Sequence, residues 1–211
     1  VYTPGYAISA DAMEQNGISA REKNGQEAVA VWDGQEDAIS MALNAVSALL
    51  QRHVPDPLVI GRIEVGTESN VDMAKSIKSY IMDLMPKQHV NVEGVDVCYG
   101  ATSALLNTLA WSRETGRYGI IVATDTADTD IQDSAWRGAS AVAMLVGPCP
   151  WNEIHPERSS CFKNTHDFLK PRNCSQTTPH MKTKESMNHY LDALDSTVNQ
   201  MRNDHAIDPS S

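Results

Sequence analysis

At 211 residues, 41% of them hydrophobic and only 6% aromatic, the chain is long enough to bury a core as one sizeable globular domain or two small ones. A formal net charge of −10 argues against sequence-independent binding to phosphate backbones, which needs clustered Lys and Arg, so nucleic acid is not an expected partner. The longest apolar run, from Ala139 to Gly147, is far short of the roughly 20 residues a membrane-spanning helix requires, and a soluble protein is expected.

Four cysteines, Cys98, Cys149, Cys161 and Cys174, are too sparse for a disulfide framework. None forms the C-x-x-C pair of a zinc or redox site, and a reducing compartment fits. The seven histidines show no H-x-x-x-H or H-E-x-x-H pair, so no metal site is expected. Val1-Tyr2-Thr3-Pro4-Gly5-Tyr6 has no basic n-region and no cleavage signal of a secretory peptide, and the absence of an initiator Met suggests a trimmed N-terminus.

Helical and strand patterns alternate along the chain. Ile39, Leu43, Val46 and Leu50 recur at helix spacing, and Pro55 and Pro57 end that helix. Ile60 to Val65 reads as a short strand, and Val71 to Met85 as an amphipathic helix with Ile77, Ile81 and Leu84 on one face. Val92 to Val97 reads as a strand and the residues from Tyr99 onward as a helix carrying Leu105, Leu106 and Leu109. Tyr118 to Ala123 is a continuous apolar run of the kind buried on both sheet faces, and Ala139 to Val146 is another strand. Such β-α-β-α order predicts an α/β fold with a largely parallel sheet, because parallel neighbours require crossovers. Beyond Pro148 a polar, proline-punctuated stretch runs to about Thr183. A final helix with Met187, Leu191, Leu194 and Val198 follows, and the tail from Asn203 is expected to fray.

Cys98 stands where the strand pattern gives way to the helix pattern. The unpaired amides and positive end of a helix favour negative charge at its first turn, so a thiol there is a candidate nucleophile. A buried, inert thiol is the ordinary alternative. Asp96, two residues earlier, would act against activation by raising the thiol pKa. Asp125 follows the apolar run and reads either as a turn cap or as part of a site. Gly100 would let substrate and backbone approach closely, or simply serve a turn.

Gly61-Arg62-Ile63-Glu64-Val65-Gly66-Thr67-Glu68-Ser69, then Asp72 and Lys75-Ser76, then Cys98-Tyr99-Gly100-Ala101-Thr102 resemble successive signatures of the hydroxymethylglutaryl-CoA synthases. Ile121 to Asp125, Ala141 to Pro148, Asp167-Phe168-Leu169-Lys170-Pro171 and Tyr190 to Asp195 resemble the same family in order and spacing. The resemblance implies a thiolase-like fold with a mixed sheet and helices on both faces. It takes residues 1–211 as the N-terminal thiolase-like domain, incomplete at both ends.

It further implies a Claisen-type condensation of acetyl-CoA with acetoacetyl-CoA and water through an acetyl-cysteine. Cys98 would be the nucleophile and Glu64 the general base, with Asp125, Asp167, Gly100 and Thr102 near the substrate. The two acyl-CoA molecules would be substrates, with no cofactor and no metal. A homodimer in the full-length protein and a cytoplasmic or mitochondrial location complete what the resemblance implies. The alternative is a shortened homologue that binds acyl-CoA or a full-length partner without condensing anything.

Overall fold

The computed structural model describes residues 1–17, 27–72, 74–86, 90–91, 97–127, 138–169 and 180–205. They form two compact units, Val1–Pro150 and Trp151–Ser211.

The first unit is built on a four-stranded mixed sheet. Its strands are β3 (Ile60–Gly66), β4 (Val90–Asn91), β5 (Tyr118–Ala127) and β6 (Gly138–Val146), in the order β4-β3-β5-β6. β3 runs parallel to β4 and to β5, whereas β6 is antiparallel to β5 from Gly119↔Val146 to Ala127↔Gly138. Tyr2 extends the β6 side through paired backbone bonds with Ala141. β5 lies between β3 and β6, and its Gly119–Val122 segment is buried on both faces, as the apolar run predicts.

One face of the sheet is covered by α2 (Ala38–His53) and α3 (Ile77–Ile81), the other by α4 (Gly100–Thr115). α2 starts where Asp37 and Ser40 cap one another reciprocally, a device worth about 1 kcal/mol, and ends before Pro55. Its inward stripe packs on the sheet beside Ile63, Val65, Ile77, Ile81, Ile120 and Val122. Each of these large side chains stabilises the fold by roughly 1.5–3 kcal/mol through removal from water. Strand alternation then points Arg62, Glu64 and Gly66 toward α4.

One expected element differs. The helix read from Val71 to Met85 is only α3 followed by a tight turn over Met82–Leu84. The Asp72 carboxylate accepts the N–H groups of Ala74 and Lys75 in a turn of its own, and Ser76 caps α3 afresh, so no helix forms before Ile77. The strand read from Val92 to Val97 falls at positions 92–96, Asp96 included, outside the described residues; β4 is described at Val90–Asn91 and Val97 opens a tight turn.

Ahead of the sheet, β1 (Tyr6–Ser9) and β2 (Ala28–Val31) pair antiparallel, with α1 (Ala10–Gln15) following β1. Ala10, Met13 and Val29 form their small core.

In the second unit, β7 (Phe168–Leu169) pairs with β8 (His180–Met181) ahead of α5 (Thr183–His205). The segment before β7 is tied along α5. Ser159 Oγ donates to the Thr197 carbonyl at 2.8 Å, and Lys163 pairs with Asp192 at 3.4 Å. The predicted final helix is present, but its apolar residues Met187, Leu191 and Leu194 are exposed. Among the described residues, no helix is long and apolar enough to cross a membrane.

Candidate functional site

Cys98 lies in a single tight turn, Val97–Tyr99, directly ahead of α4, and its side chain reaches solvent. The helix proper begins at Gly100, one residue later than the pattern suggested. Across from this turn, β3 ends at Gly66 and the chain turns through Thr67, Glu68 and Ser69. The Cys98 thiol donates to Glu68 Oε1 at 3.0 Å.

The loop carrying Glu68 is fixed from β5. Asp125 Oδ1 accepts three donors, the Glu68 N–H at 2.7 Å, the Thr67 hydroxyl at 3.0 Å and the Ser69 hydroxyl at 3.1 Å. Ser69 Oγ also donates to the Thr126 carbonyl. Asp125 thus caps the turn that carries Glu68. It stands inside β5 rather than past its end, because the strand continues to Ala127. Burial raises its carboxyl above the usual range, and its three hydrogen bonds pull the other way.

The electrostatics of the thiol run opposite to the helix-end expectation. Burial is the largest cause, the hydrogen bond to Glu68 the next, and together with the charges of Glu68 and Asp125 they push the Cys98 thiol up to about 11. The resting state is therefore a thiol hydrogen-bonded to a carboxylate, not a free thiolate.

Glu64 does not reach this pair. It is almost fully buried, at 1% exposure, and Oε1 accepts from Arg62 Nε at 2.6 Å. The Arg62 guanidinium in turn sits over the Trp111 ring at 5.8 Å. Burial pushes the Glu64 carboxyl up, while Arg62 and then Asn107 draw it down. Asn107 lies seven residues past the start of α4, about 10 Å along its axis. The carboxylate beside the thiol is Glu68, whereas Glu64, the one expected there, belongs to a buried ion pair under the middle of the helix. The missed signal was the end of the strand. Glu68 lies on the same side of the chain two residues beyond Gly66, where side chains at the C-terminal edge of an α/β sheet face ligands.

Gly100 is buried against Gly66, and Thr102 is exposed on the first turn of α4. Asp167 belongs to the second unit. There Thr165 donates to it, and Ser186 and His189 flank it, holding its carboxyl down to about 2. Among the described residues, no group of three His, Cys, Asp or Glu side chains could hold a metal ion.

A thiol in the turn ahead of α4 therefore faces a carboxylate carried by the loop after β3, a nucleophile and a base within hydrogen-bond reach of one another. The chain superposes with TM-score 0.89 on an HMG-CoA synthase crystallised with CoA, at 23% identity, covering 99% of this chain and 55% of that one. It superposes with TM-score 0.85 on an HMG-CoA synthase from Bacillus subtilis, at 19% identity, covering 95% and 50%. The fold is thiolase-like.

Residues 1–150 match the family described as hydroxymethylglutaryl-coenzyme A synthase N terminal. The chain is 38% identical to the hydroxymethylglutaryl-CoA synthase of Mycosarcoma maydis over 96% of its own length, and 37% identical to that of Schizosaccharomyces pombe over 92%. It belongs to the hydroxymethylglutaryl-CoA synthase family. It spans 46% of the length of each of these two relatives.

Proposed function

We propose that this chain provides the acyl-accepting part of a hydroxymethylglutaryl-CoA synthase, with Cys98 as nucleophile and Glu68 as general base. The observation that supports this most is the 3.0 Å hydrogen bond from the Cys98 thiol to the Glu68 carboxylate. As sulfur attacks the acetyl carbonyl of acetyl-CoA, Glu68 takes the thiol proton. The carbon–sulfur bond to CoA breaks, and the proton passes to the departing CoA thiolate. A thiol this weakly acidic gains most from a base already in contact with it.

The acetyl group now on Cys98 is a thioester, whose methyl protons are acidic enough for a positioned carboxylate. Glu68, restored to its charged form, removes one of them. The resulting enolate carbon attacks the ketone carbonyl of acetoacetyl-CoA and the proton held by Glu68 passes to the alkoxide that forms; water then cleaves the Cys98 thioester, releasing the product acid and returning a proton to the Cys98 sulfur. Acetyl-CoA and acetoacetyl-CoA act as substrates and no cofactor enters. A homodimer of the full-length protein, located in cytoplasm or mitochondrion, belongs to the same reading. Gly100 and Thr102 are assigned to the neighbourhood of the substrate on the family resemblance.

Incubation with acetyl-CoA followed by intact-mass and peptide analysis tests this. One acetyl group on the peptide containing Cys98, absent from Cys98→Ala, is the expected result. The alternative is a homologue that binds acyl-CoA without condensing it. That reading takes over if acetyl-CoA binds while Cys98 stays unmodified.

A further inference from the structure

Gly66 and Gly100 meet backbone to backbone. A β-carbon built on Gly66 would fall 2.3 Å from the Ala101 nitrogen and 2.4 Å from the Gly100 carbonyl carbon, and one on Gly100 would fall 3.1 Å from the Gly66 α-carbon. Neither residue has a positive φ, so glycine is required here for close approach and not for an unusual turn. The contact lies two residues from each of the two reacting side chains, since Glu68 follows Gly66 by two residues and Cys98 precedes Gly100 by two. α4 also starts without a side-chain cap, Tyr99 offering none. Contact with the end of β3 is what locates the first turn of the helix.

We propose that Gly66 and Gly100 are positioning residues for acyl transfer: by letting β3 and α4 touch without intervening side chains, they hold the Glu68 carboxylate against the Cys98 sulfur. Asp125 fixes the Glu68 loop to β5, but it leaves the distance to α4 open. The glycine contact closes that distance. Any β-carbon at position 66 must move out to an ordinary contact of about 3.5 Å, opening the gap by about 1 Å or more. A thiol–carboxylate hydrogen bond does not survive such a shift.

The inference rests on the pairing of Cys98 with Glu68, and alkylation of Cys98 by iodoacetamide tests that pairing without any acetyl-CoA. The rate is followed against pH by peptide mass, which separates Cys98 from the other cysteines, for the wild type, Gly66→Ala, Gly100→Ala and Glu68→Gln. Circular dichroism and a cooperative urea transition establish that each variant is folded.

The wild-type midpoint is expected near about 11. Glu68→Gln lowers it by about one unit, Gly66→Ala lowers it nearly as far, and Gly100→Ala lowers it less. Adding Gly66→Ala to Glu68→Gln changes nothing more, as a double-mutant cycle requires if the glycine acts through the carboxylate. Should Gly66→Ala fail to fold, Gly100→Ala alone and combined with Glu68→Gln gives the same cycle. A folded glycine variant with the wild-type midpoint, or one whose shift persists without the Glu68 charge, overturns the proposal. Failure of acetyl transfer with these shifts intact would instead count against the proposed function alone.

Discussion

A single carboxylate oxygen of Asp125 accepts the backbone N–H of Glu68 at 2.7 Å while also holding the hydroxyls on either side of it. β5 thereby dictates where the loop after β3 can place its acid. Asp125→Ala is expected to strand these donors and destabilise the first unit by about 2 kcal/mol, read from urea unfolding. Acetylation of Cys98 should slow by about 100-fold through misplacement of Glu68. An Asp125→Ala protein that is less stable yet acetylates at the wild-type rate would show that the anchor serves the fold alone.

Arg62 and Glu64 form a buried pair stacked beneath Trp111, and such pairs are fragile to the loss of one partner. Arg62→Met leaves a buried carboxylate and is expected to cost about 3–5 kcal/mol. Arg62→Met combined with Glu64→Leu should recover most of that loss, because both charges are then gone. Denaturant midpoints of the three variants check the pattern, and equal losses in the single and the double variant would contradict it.

The second unit has its own acid sensitivity. Asp167 has a folded pKa of about 2, below the value near 3.9 of an unfolded aspartate, and the Thr165 hydroxyl is the largest cause. The folded state therefore binds fewer protons at this group than the unfolded state does. Its stabilisation is fully present above about pH 4 and is lost as pH falls toward about 2. Asp167→Asn should remove that part of the pH dependence from urea melts monitored through the helicity of α5. An unchanged acid limb in the variant would show that the charge of Asp167 does not contribute.

Regular periodicity made part of this molecule legible. The stripe Ile39, Leu43, Val46 and Leu50 gave α2, and the run Tyr118 to Ala123 gave the central strand, because a long apolar pattern has one stable solution. β1, α1 and β2, with four, six and four residues, are too short to announce themselves by pattern. Asp72 and Ser76 hid the start of α3, since their side chains compete with the helix for backbone N–H groups.

At the site, Cys98 was visible from its place between strand and helix patterns. Glu64 and Glu68 share one parity along the strand, so alternation could not separate them. What separates them is three-dimensional: Arg62 occupies the first, and the strand ends before the second. Gly66 and Gly100 were equally ordinary in sequence, because close approach becomes visible only when both backbones are placed.

The division of labour between the two glutamates gives the most direct chemical prediction. On the proposed mechanism Glu68 faces the methyl group to be deprotonated in the acetylated protein, while Glu64 is occupied by Arg62 about two turns along α4. Exchange of the acetyl methyl protons with deuterated solvent, followed by mass on the Cys98 peptide, reports that step without requiring acetoacetyl-CoA. Glu68→Gln should slow the exchange by about 10²–10⁴, the contribution expected of a positioned general base. Glu64→Gln keeps a hydrogen-bonding partner for Arg62 and should leave the exchange within about threefold of wild type while lowering stability, as loss of one charge from a buried pair does. The reverse ranking, with exchange abolished by Glu64→Gln and spared by Glu68→Gln, would return the catalytic role to the residue under the helix and remove the hydrogen bond to Cys98 from the mechanism.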